Sequence, residues 1–572
     1  MLARAMPRLL RALRSPVAAA LLLVAAVLLA TSLRLDRGAF WVIDNACKFL
    51  QVQATLASGG RDLSLHLAGA ELDPEHRFRP LPRPFGVVED GRLYAFYPPA
   101  FAALAALPYR ALGWPGLAAL PLLGGLALLI GVARAARALG ADARGAASAV
   151  LVTGLCTPVW FYSEVFWEHV PAVALAVWGA LGVLRFLRDG RRRDLARGCA
   201  LAALAVWLRD ELYLYCGVLA AVAVLGARTR RAAAAATAAA SLALALLPLW
   251  AFQALALGHP LGFHLDTQLA PDLAAHLRER PAVLHLLFLA SVPGRLASLL
   301  WMGPLALAIA WAPRVPTRTA AWLAPALAGF AALGAGASLA GYARGGSAIA
   351  WMLATNGLLA TTPVLALAGF RFAEPGDAPL DARGVRALRA IALGYAGLYA
   401  LAAPLEASAG VHWGNRLLFV LYPLLALQAG PNLARWLERF ARPRPAAAVL
   451  VAGAALLSLG AQAFSIRLLE QKLRYSLRLA EAVARHPGLP IATGIFWLPL
   501  ELFRELPRRP VFLVDSTAEL RELVPRLRAA GHRAFLFATD PGAARAGTVV
   551  ERVEDPDLGF YAIDLVRVEI AP

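Results

Sequence analysis

The chain has 572 residues, 59% of them hydrophobic, and its mean hydropathy of +0.60 lies well above that of a soluble globular protein. A net charge of +19 could suit nucleic acid, but the basic residues stand in short segments between apolar runs and do not share one polar face, so nucleic acid is excluded as a partner. The composition predicts an all-α polytopic membrane bundle surrounded by membrane lipids.

The first apolar run, from Val17 to Leu33, is long enough to cross a hydrocarbon core of about 30 Å as a helix. Four arginines of the N-terminal arm precede it: Arg4, Arg8, Arg11 and Arg14. A cleaved signal peptide is the competing interpretation, but the run is long and no clean small-x-small cleavage site follows it. We therefore expect this run to remain as the first span.

Similar apolar runs predict about 13 spans, centred near residues 25, 124, 154, 178, 203, 219, 242, 304, 330, 358, 397, 424 and 455. Arg-rich segments alternate with them as cytoplasmic loops do, which predicts a cytoplasmic N-terminus. Residues 1–465 then form a transmembrane module that includes a first outer loop, 34–114. Residues 466–572 form an extracytoplasmic tail.

The first outer loop begins with an acid and a lysine four residues apart, Asp44 and Lys48. Among the 56 basic residues only Lys48 and Lys472 are lysines, and a compact ammonium can approach a phosphate oxygen as a point charge. A helix would place both side chains on one face, where they could equally form a plain salt bridge. The position of Asp44 just beyond the first span favours a catalytic carboxylate at the membrane surface.

A second, shorter outer turn contains Glu164, Glu168 and His169. Ionisable residues at the membrane boundary are costly unless paired or hydrated, so all three are candidate functional residues. Glu168 and His169 could bind a divalent metal or position a donor. The alternative is a simple aromatic belt, because tryptophan and tyrosine residues surround them, namely Trp160, Tyr162 and Trp167.

The charged sequence Arg209-Asp210-Glu211 interrupts two short apolar runs. It predicts a broken helix pair whose polar tip lines a cavity, where Arg209 could hold a phosphate and Glu211 could orient it. Internal pairing of Arg209 with acids is the alternative. Near the end of the module, Arg416 is a second candidate phosphate ligand or a plain helix anchor, and Arg295 is a weaker one.

The tail shows the pattern of a small α/β domain. Apolar runs near 510–515, 533–539, 548–554 and 559–569 predict strands, and Ser516 to Glu519 has the capping-box pattern that opens a helix, which Gly531 would end. The four cysteines have no CxxC spacing, so neither a disulfide framework nor a zinc site is predicted. A packing or recognition role is favoured for the tail.

Together these features resemble the C-type (GT-C) membrane glycosyltransferases. The resemblance rests on the acid after the first span, the loop end Tyr97-Pro98-Pro99, the turn from Tyr162 to His169, the charged hairpin at Arg209 and Gly-Asn-Arg-x-Leu at Gly414 to Leu418. Leu72-Asp73-Pro74-Glu75 together with Phe161 to His169 is similar to an uncharacterised bacterial branch of putative glycosyltransferases. This resemblance implies a multi-pass enzyme of the bacterial inner membrane.

The resemblance further implies transfer of a sugar from a polyprenyl-phosphate donor to a glycan, lipid or protein acceptor on the outer face. Asp44 would be the general base, and Lys48 and Arg416 would neutralise the leaving phosphate. The other substrate-binding residues that we predict are Tyr97, Glu168, His169, Arg209 and Glu211. Many relatives have a second acid directly after the first, but this chain has Asn45, so a metal held by paired carboxylates is not predicted.

Two other functions are compatible with the sequence. A transporter or flippase of lipid-linked or small polar substrates would also use charges at membrane depth, although the two halves lack the internal symmetry that many transporters show. An inactive scaffold for envelope assembly would keep the same spans and loops. A large asymmetric first loop and an outer tail favour the enzyme.

Overall fold

The computed structural model describes residues 15–268, 273–370, 372, 381–405, 410–543, 547–555 and 560–571. Its α-helices are, in chain order, Pro16–Arg34, Ile43–Ser58, Ala100–Leu112, Trp114–Leu117, Ala119–Ala138, Ala143–Leu155, Val159–Glu164, His169–Asp189, Arg192–Val206, Leu212–Gly226, Arg231–Leu257, Gly262–Gln268, Leu273–Leu284, Arg295–Trp311, Thr317–Ala343, Ala348–Ala354, Ala382–Ala402, Leu421–Phe440, Pro445–Ala484, Leu498–Glu501 and Thr517–Ala529. A π-helix covers His285–Leu289, and 3-10 helices cover Ala70–Leu72, Ala312–Arg314 and Pro363–Gly369. The N-terminal arginines 4, 8, 11 and 14 lie outside the described residues.

Seven of the described helices are long and apolar enough to cross a membrane: Pro16–Arg34, Trp114–Ala138, His169–Asp189, Arg231–Leu257, Thr317–Ala343, Ala382–Ala402 and Pro445–Ala484. They coincide with the predicted spans near residues 25, 124, 178, 242, 330, 397 and 455. The other six centres fall on shorter, irregular or more polar elements, including the two 15-residue helices beside Arg209. A mostly helical, multi-pass membrane protein is confirmed, while the count of 13 stays a prediction.

The chain divides into two compact units. The first contains Met1–Arg34, Leu120–Leu249 and Gln268–Ile466, and the second contains Leu35–Ala119, Trp250–Thr267 and Arg467–Pro572. The sequence analysis assigned the first outer loop to the transmembrane module. In the structure this loop belongs to the same compact unit as the tail.

Strands occur only in the second unit among the described residues. A hairpin in the first loop pairs β1 (Gly86–Glu89) with β2 (Arg92–Ala95) in antiparallel register. The tail contains a five-stranded sheet in the order β4-β3-β5-β7-β6. These strands are β3 (Ile491–Thr493), β4 (Val511–Leu513), β5 (Ala534–Thr539), β6 (Thr548–Asp555) and β7 (Phe560–Glu569).

The sheet is mixed. Strand β3 runs parallel to β4 and β5, and β7 runs antiparallel to β5 and β6. The four strands predicted from the sequence are confirmed as β4 to β7, although Gly559, the first residue of the last prediction, lies outside the described residues. Strand β3 was not predicted.

The predicted helix of the tail is also confirmed, and its first turn shows why it starts there. The Ser516 hydroxyl accepts the N–H of Glu519 at 3.2 Å, and the Glu519 carboxylate accepts the N–H of Asp515 at 2.7 Å. This exchange satisfies donors that have no partner within the helix. Gly531, with φ of +84°, follows the end of the helix at Ala529.

A segment of the first loop completes the core of the tail. Phe78 is fully buried in a cluster with Phe512, Leu523 and Phe535, and its carbonyl accepts the N–H of Leu513 in β4. Asp73 shapes this segment, because its carboxylate accepts the N–H groups of Arg77 and Phe78 at 2.8 and 2.7 Å. The Leu72 to Glu75 motif therefore supports the tail structurally.

Candidate active site

Asp44 lies in the first turn of the helix Ile43–Ser58 and is buried, with 8% of its surface exposed. The helix starts here because Val42 is extended and its N–H is accepted by the Asn45 side chain at 3.2 Å. The helix dipole favours a carboxylate at this end. Asn45 thus stabilises the start of this helix through its hydrogen bond to the Val42 N–H.

Lys48 follows one helical turn after Asp44, so the predicted helical spacing of this pair is confirmed. Its ammonium lies 3.4 Å from the centroid of the Tyr97 ring, and the lysine is only 1% exposed. Cation–π attraction is strongest where the charge is removed from water. Gln51 fixes the ring's segment, because its side-chain amide donates to the Tyr97 carbonyl at 2.8 Å. The structure therefore brings Lys48 and Tyr97 together.

His264 is a residue that the sequence analysis missed. Its imidazole stacks on Tyr97 with ring centroids 5.8 Å apart and an interplanar angle of 27°. It comes from the helix Gly262–Gln268, far along the chain from the first loop. A single histidine after an apolar run gives no signal in the sequence.

Cys47 lies between Asp44 and Lys48 in the sequence, but its chemistry is suppressed. Burial raises the pKa of the Cys47 thiol well above its ordinary value, and the negative charge of Asp44 acts in the same direction. A thiol is a weak nucleophile compared with a thiolate. The Cys47 thiol is therefore a poor nucleophile, and Asp44 and Lys48 remain the candidate functional residues of this helix.

In the first unit, four predicted residues form one group, the Arg209 cluster: Glu168, His169, Arg209 and Glu211. Arg209 Nη1 lies 3.1 Å from Glu168 Oε1 and 2.6 Å from His169 Nε2, and Arg209 Nε donates to Glu211. The internal ion pairing that the sequence left open is thus present. Because two carboxylates face this guanidinium, its charge is already balanced within the protein.

Two parts of the chain supply the Arg209 cluster. Glu168 and His169 stand at the start of the helix His169–Asp189, and Arg209 and Glu211 stand in the turn between Arg192–Val206 and Leu212–Gly226. This turn is the broken helix pair that the sequence predicts. A charged group in such a place needs partners, and here the turn itself supplies Glu211 while the start of the helix His169–Asp189 supplies Glu168.

Aromatic rings enclose His169. Tyr162 stacks on the imidazole at 4.9 Å between centroids, and Trp167 packs against it at 4.6 Å. Both rings are buried, with exposures of 0% and 1%, so they are not lipid-facing belt residues. The guanidinium carbon of Arg416 lies 5.3 Å from the Trp167 ring. Arg416 and His169 of the Arg209 cluster therefore both contact the Trp167 ring.

Arg416 is presented by a tightly held segment, the 411–418 loop. Gly414 has a φ of +58°, and a Cβ there would lie 2.7 Å from the Pro158 ring, so glycine is required on both grounds. The Asn415 side-chain oxygen accepts the N–H groups of Leu417 and Leu418 at 3.1 and 2.9 Å. The Gly-Asn-Arg motif is thus a turn with a cation at its end.

The remaining candidates have other surroundings. Glu164 is buried at the end of the short helix Val159–Glu164, and Arg295 is an exposed residue at the start of the helix Arg295–Trp311. Within the described part of the chain, no group of three or more His, Cys, Asp or Glu side chains is placed to hold a metal ion.

No family model matches this chain, and no curated protein matches it. Among solved structures it is similar to ArnT from Cupriavidus metallidurans bound to undecaprenyl phosphate, with 16% identity, 95% of this chain and 97% of that chain covered, and a TM-score of 0.43. It is also similar to the oligosaccharyltransferase of Archaeoglobus fulgidus, with 12% identity, 91% of this chain and 69% of that chain covered, and a TM-score of 0.48. It is similar as well to the arabinofuranosyltransferase AftD from Mycobacteria, with 17% identity, 96% of this chain and 41% of that chain covered, and a TM-score of 0.44.

Two of these three proteins are named for glycosyl transfer. All three TM-scores are below 0.5. A functional assignment therefore depends on the side chains of this chain.

Proposed function

We propose that this protein is a membrane glycosyltransferase that moves a sugar from a polyprenyl-phosphate donor to a glycan, lipid or protein acceptor at the outer membrane face. The observation that carries this proposal is the buried pair of Asp44 and Lys48 on one helix face, in a multi-pass membrane protein. An acid and a cation are the two groups that displacement of a phosphate by a hydroxyl requires.

In this mechanism Asp44 accepts the proton of the acceptor hydroxyl while its oxygen attacks the anomeric carbon. The bond from that carbon to the phosphate oxygen breaks, and the polyprenyl phosphate leaves with the bonding electrons. Lys48 offsets the negative charge that develops on the phosphate, and Arg416 is the second candidate for this role. A positioned base typically contributes about 10²–10⁴-fold to the rate.

The Arg209 cluster receives a different role. Because Glu168 and Glu211 already balance Arg209, phosphate binding is better assigned to Arg416, whose fork-shaped guanidinium is suited to oxyanions. The carboxylates and the imidazole of the cluster are suited to accept hydrogen bonds from sugar hydroxyls. We propose that this cluster orients the donor sugar.

The first prediction tests Asp44. The variant Asp44→Asn keeps the shape of the side chain but removes its basicity, so transfer falls by about 10²-fold or more. The matched control is Asp90→Asn in the same loop, because Asp90 is exposed and has a φ of +49° that asparagine tolerates. Purified variants in proteoliposomes are given a panel of polyprenyl-phosphate hexoses and pentoses together with a mixture of glycan, lipid and protein acceptors, and release of polyprenyl phosphate and glycosylation of an acceptor are followed by mass spectrometry.

The same assay separates the competing functions. Full transfer by Asp44→Asn would remove the base mechanism. Movement of the donor across the bilayer with no released polyprenyl phosphate, in the wild-type protein as in the variant, would instead support the transporter or flippase.

A further inference from the structure

A glutamine is buried in the middle of one of the apolar spans. Gln462 lies in the helix Pro445–Ala484 and has no exposed surface. A primary amide at membrane depth is costly unless its donors and acceptor are bonded within the protein. We therefore expect the amide of Gln462 to be bonded to other segments of the protein.

Gln462 ties two separate segments to this helix. Its side-chain oxygen accepts the indole N–H of Trp413 at 2.8 Å, and its NH₂ group donates to the Thr361 carbonyl at 3.0 Å. Trp413 is 1% exposed, so its indole N–H has no access to water. Both ends of the amide are used, and one of them fixes the 411–418 loop.

The hydrogen bond from Gln462 reaches Trp413, three residues before Arg416, the candidate phosphate ligand. Trp413 precedes Gly414 and Asn415, and the Asn415 side chain donates to the Leu287 carbonyl at 2.8 Å. That carbonyl belongs to the π-helix His285–Leu289, in which the usual helical pairing is altered and carbonyls become available. The turn before Arg416 is therefore held from one side by Gln462 and from the other by Leu287.

We propose that Gln462 is a positioning residue that sets the location of the Arg416 guanidinium through Trp413. This inference rests on the proposed function, in which Arg416 binds the donor phosphate. Loss of the amide frees the indole, and the turn that presents Arg416 then samples other positions. The donor consequently binds less tightly at its phosphate.

The test is a double-mutant cycle in the full-length protein with the donor panel described above. Gln462→Met keeps the length of the side chain without its hydrogen bonds, and we expect a decrease of about tenfold in kcat/KM for the donor. Arg416→Ala gives a larger loss. Because Gln462 acts through Arg416, the double variant is no worse than Arg416→Ala alone.

Asn432→Leu is the matched control. Asn432 is another buried amide of the first unit, and it donates to the carbonyls of Leu367 and Phe370 at 2.9 and 3.0 Å. Its removal costs a similar pair of hydrogen bonds away from the 411–418 loop. We expect its effect and that of Arg416→Ala to multiply. If the effects of Gln462→Met and Arg416→Ala also multiply, the inference is overturned.

A second measurement does not depend on transfer. Arg416→Cys is labelled with a soluble maleimide in the wild-type background, with Gln462→Met and with Asn432→Leu. We expect Gln462→Met alone to change the labelling rate at position 416 severalfold. If Arg416→Ala retains full transfer, the phosphate role fails while the labelling still decides the positioning role, and equal rates in all three backgrounds refute it.

Discussion

At the scale of single residues, the two lysines of this arginine-rich chain show two different uses of an ammonium group. Lys48 lies over the Tyr97 ring one turn after Asp44. Lys472 is also buried, and its three donors reach Glu501 at 2.7 Å, Ser476 at 2.7 Å and the Phe40 carbonyl at 3.3 Å. A compact ammonium fits three converging acceptors, which a planar guanidinium does not. The rarity of lysine in this chain therefore indicates sites that require a compact ammonium, and such a site need not be catalytic.

This geometry leads to a stability prediction. Lys472→Met leaves Glu501 buried and uncompensated, so we expect a loss of about 3–5 kcal/mol in local stability. Replacing both partners, Lys472→Met with Glu501→Leu, removes both charges from the site and restores most of the lost stability. Hydrogen exchange of peptides covering 472–476 and 498–501 measures the free energy of opening. An equal loss in the single and double variants would contradict this account.

The residues of the candidate site were predictable to different degrees. Asp44, Lys48 and Arg209 are visible in the sequence because charged residues beside apolar runs are unusual there. His264 and Gln462 were not found, because each acquires its importance from a partner far away in the chain. The identity of the partner depends on packing, which a pattern of residue types does not encode.

At the scale of elements, the Asp73-Pro74-Glu75 motif shows how a loop becomes part of a domain core. Asp73 is 4% exposed and accepts two N–H groups, which shapes the chain so that Phe78 enters the tail. Arg526 of the tail helix donates to the Leu72 carbonyl at 3.0 Å. The motif therefore joins two distant parts of the second unit.

We predict that the two acids of this motif contribute unequally. Asp73→Ala leaves two N–H groups without their acceptor and lowers local stability by about 1–3 kcal/mol. Glu75→Ala is the matched control, because the Glu75 carboxylate is largely exposed, and its paired charge is screened by solvent. Hydrogen exchange over residues 72–78 and 511–529 compares them. A larger effect of Glu75→Ala would show that the ion pair with Arg526 dominates.

Regular elements and the broken helix pair at Arg209 were predicted well, and several short elements were not. The capping pattern at Ser516 and the strands β4 to β7 follow from local chemistry. Strand β3 has only three residues, which is too short for a sequence pattern. It is a strand because it pairs with β4 on one side and with β5 on the other. Likewise Pro363–Gly369 replaces part of the predicted span near residue 358, because neighbouring helices stabilise a short turn in a segment that hydropathy reads as continuous.

At the scale of the whole molecule, charge predicts the orientation in the membrane. Arg-rich segments between the spans favour a cytoplasmic N-terminus, and an odd number of crossings would place the tail outside. The 13 spans predicted from the sequence are odd in number. An extracytoplasmic tail is therefore our proposal for the topology.

Cysteine labelling tests this topology. Val549 of β6 is 52% exposed, so Val549→Cys in spheroplasts should react with a membrane-impermeant maleimide. Arg192→Cys, in a predicted cytoplasmic segment, should react only after permeabilisation. Three of the four native cysteines are buried, which keeps the background low. Labelling of Arg192→Cys first would invert the orientation and place the proposed chemistry on the cytoplasmic side.

The burial of Phe78 among the side chains of the tail has a practical consequence for dissecting the protein. A fragment starting after the last span would lack this ring and would expose the apolar hole that it fills, together with the edge of β4 that the Phe78 carbonyl now caps. Such a fragment is expected to aggregate. Adding the peptide 70–82 in trans, or fusing it ahead of residue 467, would be the way to obtain a soluble form.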